Sequence, residues 1–120
     1  MNMRANAVSL KDVIREVERR ILNNFMDLLI LSSMHCDGSQ ISGYDVIKYL
    51  QIRYRFLPSP GTVYSCLYHM ERDGLLIGKQ NGRKRLYTLT QYGAETAKAI
   101  FNAKDRILNF MSVTIQKNGS

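Results

Sequence analysis

Apolar residues recur along this chain at steps of three and four, and only one stretch switches to the pattern of a strand pair. Leu10, Val13, Ile14, Val17, Ile21, Phe25, Leu28 and Leu29 fall on one helical face. Ser9 with Asp12 makes a capping pair at the start of that pattern. It carries to about Met34, with Asn23-Asn24 as a break point and Asp37-Gly38 as the stop. Met26 to Leu31 is apolar nearly all round, which predicts burial on several sides. A second helix opens after Ile41, with Ser42 as N-cap and Asp45 reaching back. Its buried stripe is Val46, Ile47 and Leu50, and it ends near Arg53 to Arg55, before Pro58-Ser59-Pro60. A third helix has Ser59 as N-cap and Pro60 at the first helical position, where the missing N–H costs nothing. Val63, Leu67 and Met70 repeat along it, and Gly74 stops it.

Leu75 to Gln80 and Arg83 to Thr90 then read as two strands around Asn81-Gly82, a strong hairpin signal. Thr90 caps one last helix running to about Gln116. Ala97, Phe101, Lys104, Leu108, Met111 and Ile115 step by four and three along it, a coiled-coil-like seam interrupted by Lys104. The fold expected is mainly α with a small two-stranded β wing: a winged helix-turn-helix plus N- and C-terminal dimerisation helices, the third helix being the reader. The division expected is an arm over residues 1–24, the winged helix-turn-helix over 25–90 and a dimerisation helix over 91–120.

Composition narrows the function. The chain has 120 residues, 45% of them hydrophobic and 22% charged, which suits one packed domain, or one domain plus an oligomerisation arm. No uncharged apolar run reaches the length of a membrane-spanning helix. The opening MNMRANAVSL has no apolar signal core, and Cys36 and Cys66 have no paired spacing, so the expected location is the cytoplasm. Seventeen Lys and Arg against ten Asp and Glu give a net charge of +7, which favours a polyanionic partner, nucleic acid first. The excess is localised. Residues 46–58 hold Lys48, Arg53 and Arg55, and residues 74–90 hold Lys79, Arg83, Lys84 and Arg85, with no acid in either stretch. These stretches flank the third helix and supply phosphate-neutralising charge.

Four blocks carry a resemblance to a known family: DLLILSSM at Asp27 to Met34, SGYDVIKYL at Ser42 to Leu50, SPGTVYSCLYHMERDGLL at Ser59 to Leu76, and GRKRLYTLTQYG at Gly82 to Gly93. Together they resemble the PadR family of transcriptional regulators over Asp27 to Ala97. The resemblance implies a homodimeric winged-helix DNA-binding protein, usually a repressor, with its extra helices holding the dimer. A single final helix looks like the short form of the family. The linker HCDGSQIS is longer than usual and the wing is shorter. No tryptophan occurs, so ligand stacking between tryptophans does not carry over, and an aromatic clamp would use Phe101, Phe110 or tyrosines. A small-molecule effector between the dimer helices is admissible, and so is a constitutive regulator without ligand.

The residues expected at double-stranded DNA follow. Ser59, Gly61, Thr62, Tyr64 and Ser65 open the third helix with hydrogen-bonding or small groups, and a helix N-terminus favours an anion. Tyr64 and Tyr44 match the family's SPGTxY and GY tyrosines. Tyr68 is at least as well read as core packing, while a capping role is the weaker reading of Thr62. Lys79, Arg83, Lys84 and Arg85 form the wing cations, two of Arg83, Lys84 and Arg85 pointing at DNA because strand alternation splits neighbours. A two-fold dimer would read a palindromic operator. Val13, Val17 and Ile21, with Phe101, Leu108, Met111 and Ile115, are the expected dimer contacts, since the winged-helix core does not need them.

Other readings are weaker. Cys66 and His69 sit three apart on one helix, but two ligands do not make a metal site, so neither metal nor cofactor is expected. No phosphate loop, nucleophile elbow or HExxH occurs, which argues against an enzyme. The basic groups cluster at a hairpin, unlike a membrane-surface helix. The alternative from another class is a winged-helix protein-interaction module without DNA binding.

Overall fold

The computed structural model describes residues 8–38 and 40–116. Residues 1–7 of the N-terminal arm, Ser39 in the HCDGSQIS linker and 117–120 lie outside the described residues. The elements are α1 (Leu10–Asn24), α2 (Met26–Asp37), α3 (Gly43–Tyr54), α4 (Pro60–Arg72), β1 (Leu76–Asn81), β2 (Lys84–Leu89), α5 (Gln91–Asn102) and α6 (Lys104–Ile115). Ser9 Oγ accepts from Asp12 N at 3.1 Å to start α1. The chain breaks at Phe25, one residue past Asn23-Asn24, and α2 then sinks into the core through Met26, Ile30, Leu31 and Met34. Gly38 ends α2 in a left-handed conformation. Ser42 and Asp45 form the reciprocal capping box of α3.

Val46 and Leu50 of α3, Val63, Leu67 and Met70 of α4, Leu76 of β1, Tyr87 of β2 and Ala97 of α5 join the α2 residues in one buried cluster. α2, α3 and α4 contribute the positions that recur at three and four, which is why one face of each is dry. β1 and β2 pair antiparallel in the register Leu76↔Leu89, Gly78↔Tyr87 and Asn81↔Lys84. The loop is therefore Gly82-Arg83, not Asn81-Gly82. The positive φ of 64° falls on Gly82, and Asn81 stays in the ladder opposite Lys84. β2 also exchanges two backbone hydrogen bonds with Ile41, at 3.0 and 2.8 Å, so the linker before α3 adds a one-residue third strand. That bridge orders part of the long linker and has no sequence signal, being one residue deep.

The single last helix expected from Thr90 to Gln116 is two. Ala103 N bonds back to Ala99 and Ile100 carbonyls, and α6 starts afresh at Lys104. α5 is core: Ala97 is buried and Ile100 packs against the cluster. Packing thus divides the stretch 91–120 at Ala103. The heptad seam divides there too, with Ala97 spent inside while Phe101, Leu108, Met111 and Ile115 remain exposed. α6 buries no side chain at all. The molecule is correspondingly long, 54 × 29 × 22 Å.

Candidate nucleic-acid interface

α4 turns Val63, Leu67 and Met70 inward and leaves its opposite face in solvent. Gly61, Ser65, Tyr68 and Arg72 run down the middle of that exposed face at steps of four, three and four. Thr62 and Tyr64 flank it on either side. Ser59 stands at the N-cap position but its hydroxyl makes no capping bond, which corrects the expected side-chain cap and leaves the group outward. Backbone N–H groups of Thr62 and Val63 bond the Ser59 carbonyl instead. The Thr62 hydroxyl caps nothing among the described residues; it borders a small cleft of about 250 Å³ shared with Asp27, Cys66 and His69. Tyr68 is 60% exposed, so the core-packing reading of it does not hold. Its ring lies under the Arg72 guanidinium, 6.0 Å from centroid. Arg72 went unnoticed in the sequence, although it continues the Ser65-Tyr68 step by one turn.

Tyr64 is half exposed, and one side of its ring lies on Gly43 at the first turn of α3. A β-carbon at residue 43 would overlap the Tyr64 ring carbons. This close approach puts Tyr64 one residue from the exposed Tyr44. Tyr44 and Tyr64, far apart in sequence, thereby both lie near the α3–α4 junction.

Strand alternation separates the wing cations. Arg85, like Tyr87, faces α4: its Nη2 and Nε donate to Glu71 Oε2 and Oε1 at 2.6 and 3.2 Å. Its guanidinium also lies 5.9 Å from the Tyr87 ring centroid. The Arg85 bonds hold the Glu71 carboxyl below its ordinary range, helped by the Gly78 N–H, while burial pushes the Tyr87 hydroxyl up. Lys79 and Lys84 lie on the other face of the hairpin, and Arg83 sits at its tip; all three are exposed. Lys48 is exposed on α3, whereas Arg53 and Arg55 line a groove against α1 and do not extend the wing surface.

The base of the wing is locked to α5. Thr90 caps that helix by accepting from Gly93 N at 2.9 Å, and the same hydroxyl donates to the Gly74 carbonyl at 2.6 Å. Gly93 approaches so near Leu75 that a β-carbon there would overlap the Leu75 carbonyl oxygen.

Among the described residues no three His, Cys, Asp or Glu side chains are grouped so as to hold a metal ion. No helix among them is long and apolar enough to cross a membrane. Burial raises the Cys66 thiol to about 11, with the Asp27 carboxylate adding to the effect.

Three helices, a bridged hairpin and an outward-facing third helix define a winged helix-turn-helix. The family model described as "Transcriptional regulator PadR-like family" matches residues 30–99, and the chain belongs to that family. Solved structures agree on the fold. A PadR family transcriptional regulator from Eggerthella lenta superposes with a TM-score of 0.70 at 18% identity, covering 93% of this chain and all of the other. A transcriptional regulator from Clostridium thermocellum gives 0.65 at 19% identity, covering 92% of this chain and all of the other. F93 from STIV, described as a winged-helix DNA-binding protein, gives 0.61 at 17% identity over 69% of this chain and 90% of its own. Among curated proteins none matches.

Proposed function

We propose that this protein is a homodimeric, sequence-specific double-stranded DNA-binding regulator, acting as a repressor of PadR type. The observation that carries the reading is the exposed face of α4, which offers hydroxyls, a glycine and Arg72 and no carboxylate until Glu71, itself neutralised by Arg85. Ser59, Gly61, Thr62, Tyr64 and Ser65 enter the major groove, and Tyr44 hydrogen-bonds a phosphate from α3. Arg83, Lys84 and Lys79 bring cations to the flanking backbone. Arg85 serves this surface indirectly, by holding the wing against α4. The α1 stripe (half-buried Val13 with exposed Val17 and Ile21) and the exposed α6 stripe (Leu108, Met111, Ile115), with Phe101, form the dimer contact. Two reader helices related by a two-fold axis then address half-sites about 34 Å apart on a palindromic operator.

Selection of bound duplexes from a random DNA pool tests this directly. The expected result is a palindromic consensus with half-sites one turn apart, and an affinity that falls steeply with salt. Replacing Arg83 and Lys84 with alanine should weaken every selected duplex and flatten the salt dependence. Failure to enrich any sequence, with salt-insensitive retention, would favour the protein-interaction module.

A further inference from the structure

The outward line of α4 does not stop at Ser65. Tyr68 and Arg72 continue it toward the end of the helix, four residues apart on one face. Both stand clear of the core: Tyr68 is 60% exposed and the Arg72 side chain equally so. The His69 ring meets the Tyr68 ring edge to face, 5.5 Å between centroids, and the Arg72 guanidinium lies 6.0 Å from the Tyr68 centroid. That contact limits the sweep of an otherwise solvated arginine. The carboxylate beside Arg72 is that of Asp73, 3.9 Å from Nε, too long for a hydrogen bond. The other neighbouring acid, Glu71, is already engaged by Arg85. The guanidinium fork of Arg72 is therefore unspent on the fold, among the described residues.

We propose that Tyr68 and Arg72 determine sequence specificity by reading a thymine and a nearby guanine toward one end of each half-site, an inference that rests on the duplex-binding reading above. Position decides between base and phosphate. Tyr44 and the wing cations, assigned to phosphates, come from α3 and the hairpin, the elements on either side of α4 in the chain. Arg72 instead shares the line of Gly61 and Ser65, which faces the groove floor once α4 is inserted. A guanidinium fork matches O6 and N7 of guanine, and the Tyr68 ring offers apolar surface to a thymine C5 methyl. Tyr68 and Arg72 are about 6 Å apart along the helix axis, which sets the two bases within about two base pairs of each other. From Ser65 to Arg72 the helix advances about 10 Å, or about three base pairs, so the guanine lies beyond the bases that Gly61 and Ser65 meet. The Glu71–Arg85 bonds fix this end of α4 against the wing, one residue from Arg72.

Duplexes selected by the full chain, then altered one base atom or group at a time, test the pair. The selected consensus should hold a guanine with a thymine within two base pairs in each half. Putting 7-deazaguanine there removes the N7 acceptor and should weaken binding about fivefold or more; Arg72→Ala should bind both duplexes alike. Uracil for the thymine removes only the methyl and should weaken binding about threefold, and Tyr68→Ala should erase that difference. Arg72→Lys keeps the charge without the fork, so it should relax the choice of guanine while leaving the salt dependence as it was. Thermal melts of the three variants should match the parent, since both side chains are exposed. If Arg72→Ala weakens every duplex equally and lowers the salt slope by about one, Arg72 is a phosphate contact and the proposal is overturned. Equal binding of natural and altered duplexes by the unmutated chain overturns it too. Enrichment of no duplex by that chain would instead remove the duplex-binding reading itself, and this inference with it.

Discussion

Glu71 at the end of α4 and Arg85 on β2 are joined by two hydrogen bonds across fourteen residues, the shorter 2.6 Å long. The pair ties the last turn of the exposed helix to the inner face of the hairpin. Leu76 and Tyr87 seat the hairpin in the core, and the Glu71–Arg85 pair adds a polar tie between wing and helix at the rim.

A double-mutant cycle with Glu71→Gln and Arg85→Ala should show favourable coupling at neutral pH. The folded Glu71 carboxyl titrates below its ordinary 4.5 because of Arg85. The coupling is therefore fully present above that ordinary value and vanishes as the pH falls through the depressed one. The pair is partly solvated, so the effect on global stability is small. Urea midpoints of the four variants at pH 7 and pH 3 check this; a coupling equal at both would refute it.

Gly43→Ala should force the Tyr64 ring off α3, since the new methyl overlaps it. The cost is about 1 kcal/mol, at the low end for overpacking, because a half-exposed ring has somewhere to go. Adding Tyr64→Ala should restore most of that stability without restoring duplex binding. Thermal melts of the single and double variants, with gel retardation beside them, separate the two effects.

Thr90→Val removes an α5 cap and the donor to Gly74 together, and should lower stability by about 1–2 kcal/mol. Gly93→Ala should cost about 1–3 kcal/mol, toward the upper end, because the obstacle is the Leu75 backbone and not a side chain that can turn away. Both are read from urea unfolding midpoints. A neutral Gly93→Ala would contradict the close approach described for α5.

The two cysteines should label at very different rates. Cys36 is exposed, whereas Cys66 is half-buried with its thiol raised to about 11. At pH 8 an aromatic disulfide reagent should modify Cys36 promptly and Cys66 slowly, the gap closing in denaturant. Comparable rates in the native protein would disprove it.

Leu108→Asp with Met111→Asp should yield a folded monomer that no longer binds palindromic duplex. Neither side chain is buried within its own chain, so the core is untouched. Sedimentation velocity decides the matter: a tight dimer of this variant would move the contact away from α6.

Much of this architecture can be read before any coordinates. Ser42 with Asp45, Pro60 and Gly74 mark helix ends by local chemistry that acts within one turn, and they fall where expected. Val63, Leu67 and Met70 repeat too regularly to be anything but a buried stripe. The break at Ala103 is hidden because alanine is a good helix former and carries no stop signal. The Ile41 bridge and the Glu71–Arg85 staple join residues distant in sequence, and no periodicity registers such a pair. Arg85 looks like its neighbours Arg83 and Lys84 on paper; only the hairpin register, shifted by one residue, reveals which cation is turned inward.

The joint at Ala103 has a geometric consequence. Inserting one residue there would rotate α6 by about 100° about its axis while leaving every core side chain of α5 in place. Such a chain would still fold, but its apolar stripe would look sideways. Angular phase between the two ends of the subunit is thus set by the length of a single peptide hinge, and deletions or insertions at that hinge are the mildest way to mispoint one end without unfolding the other.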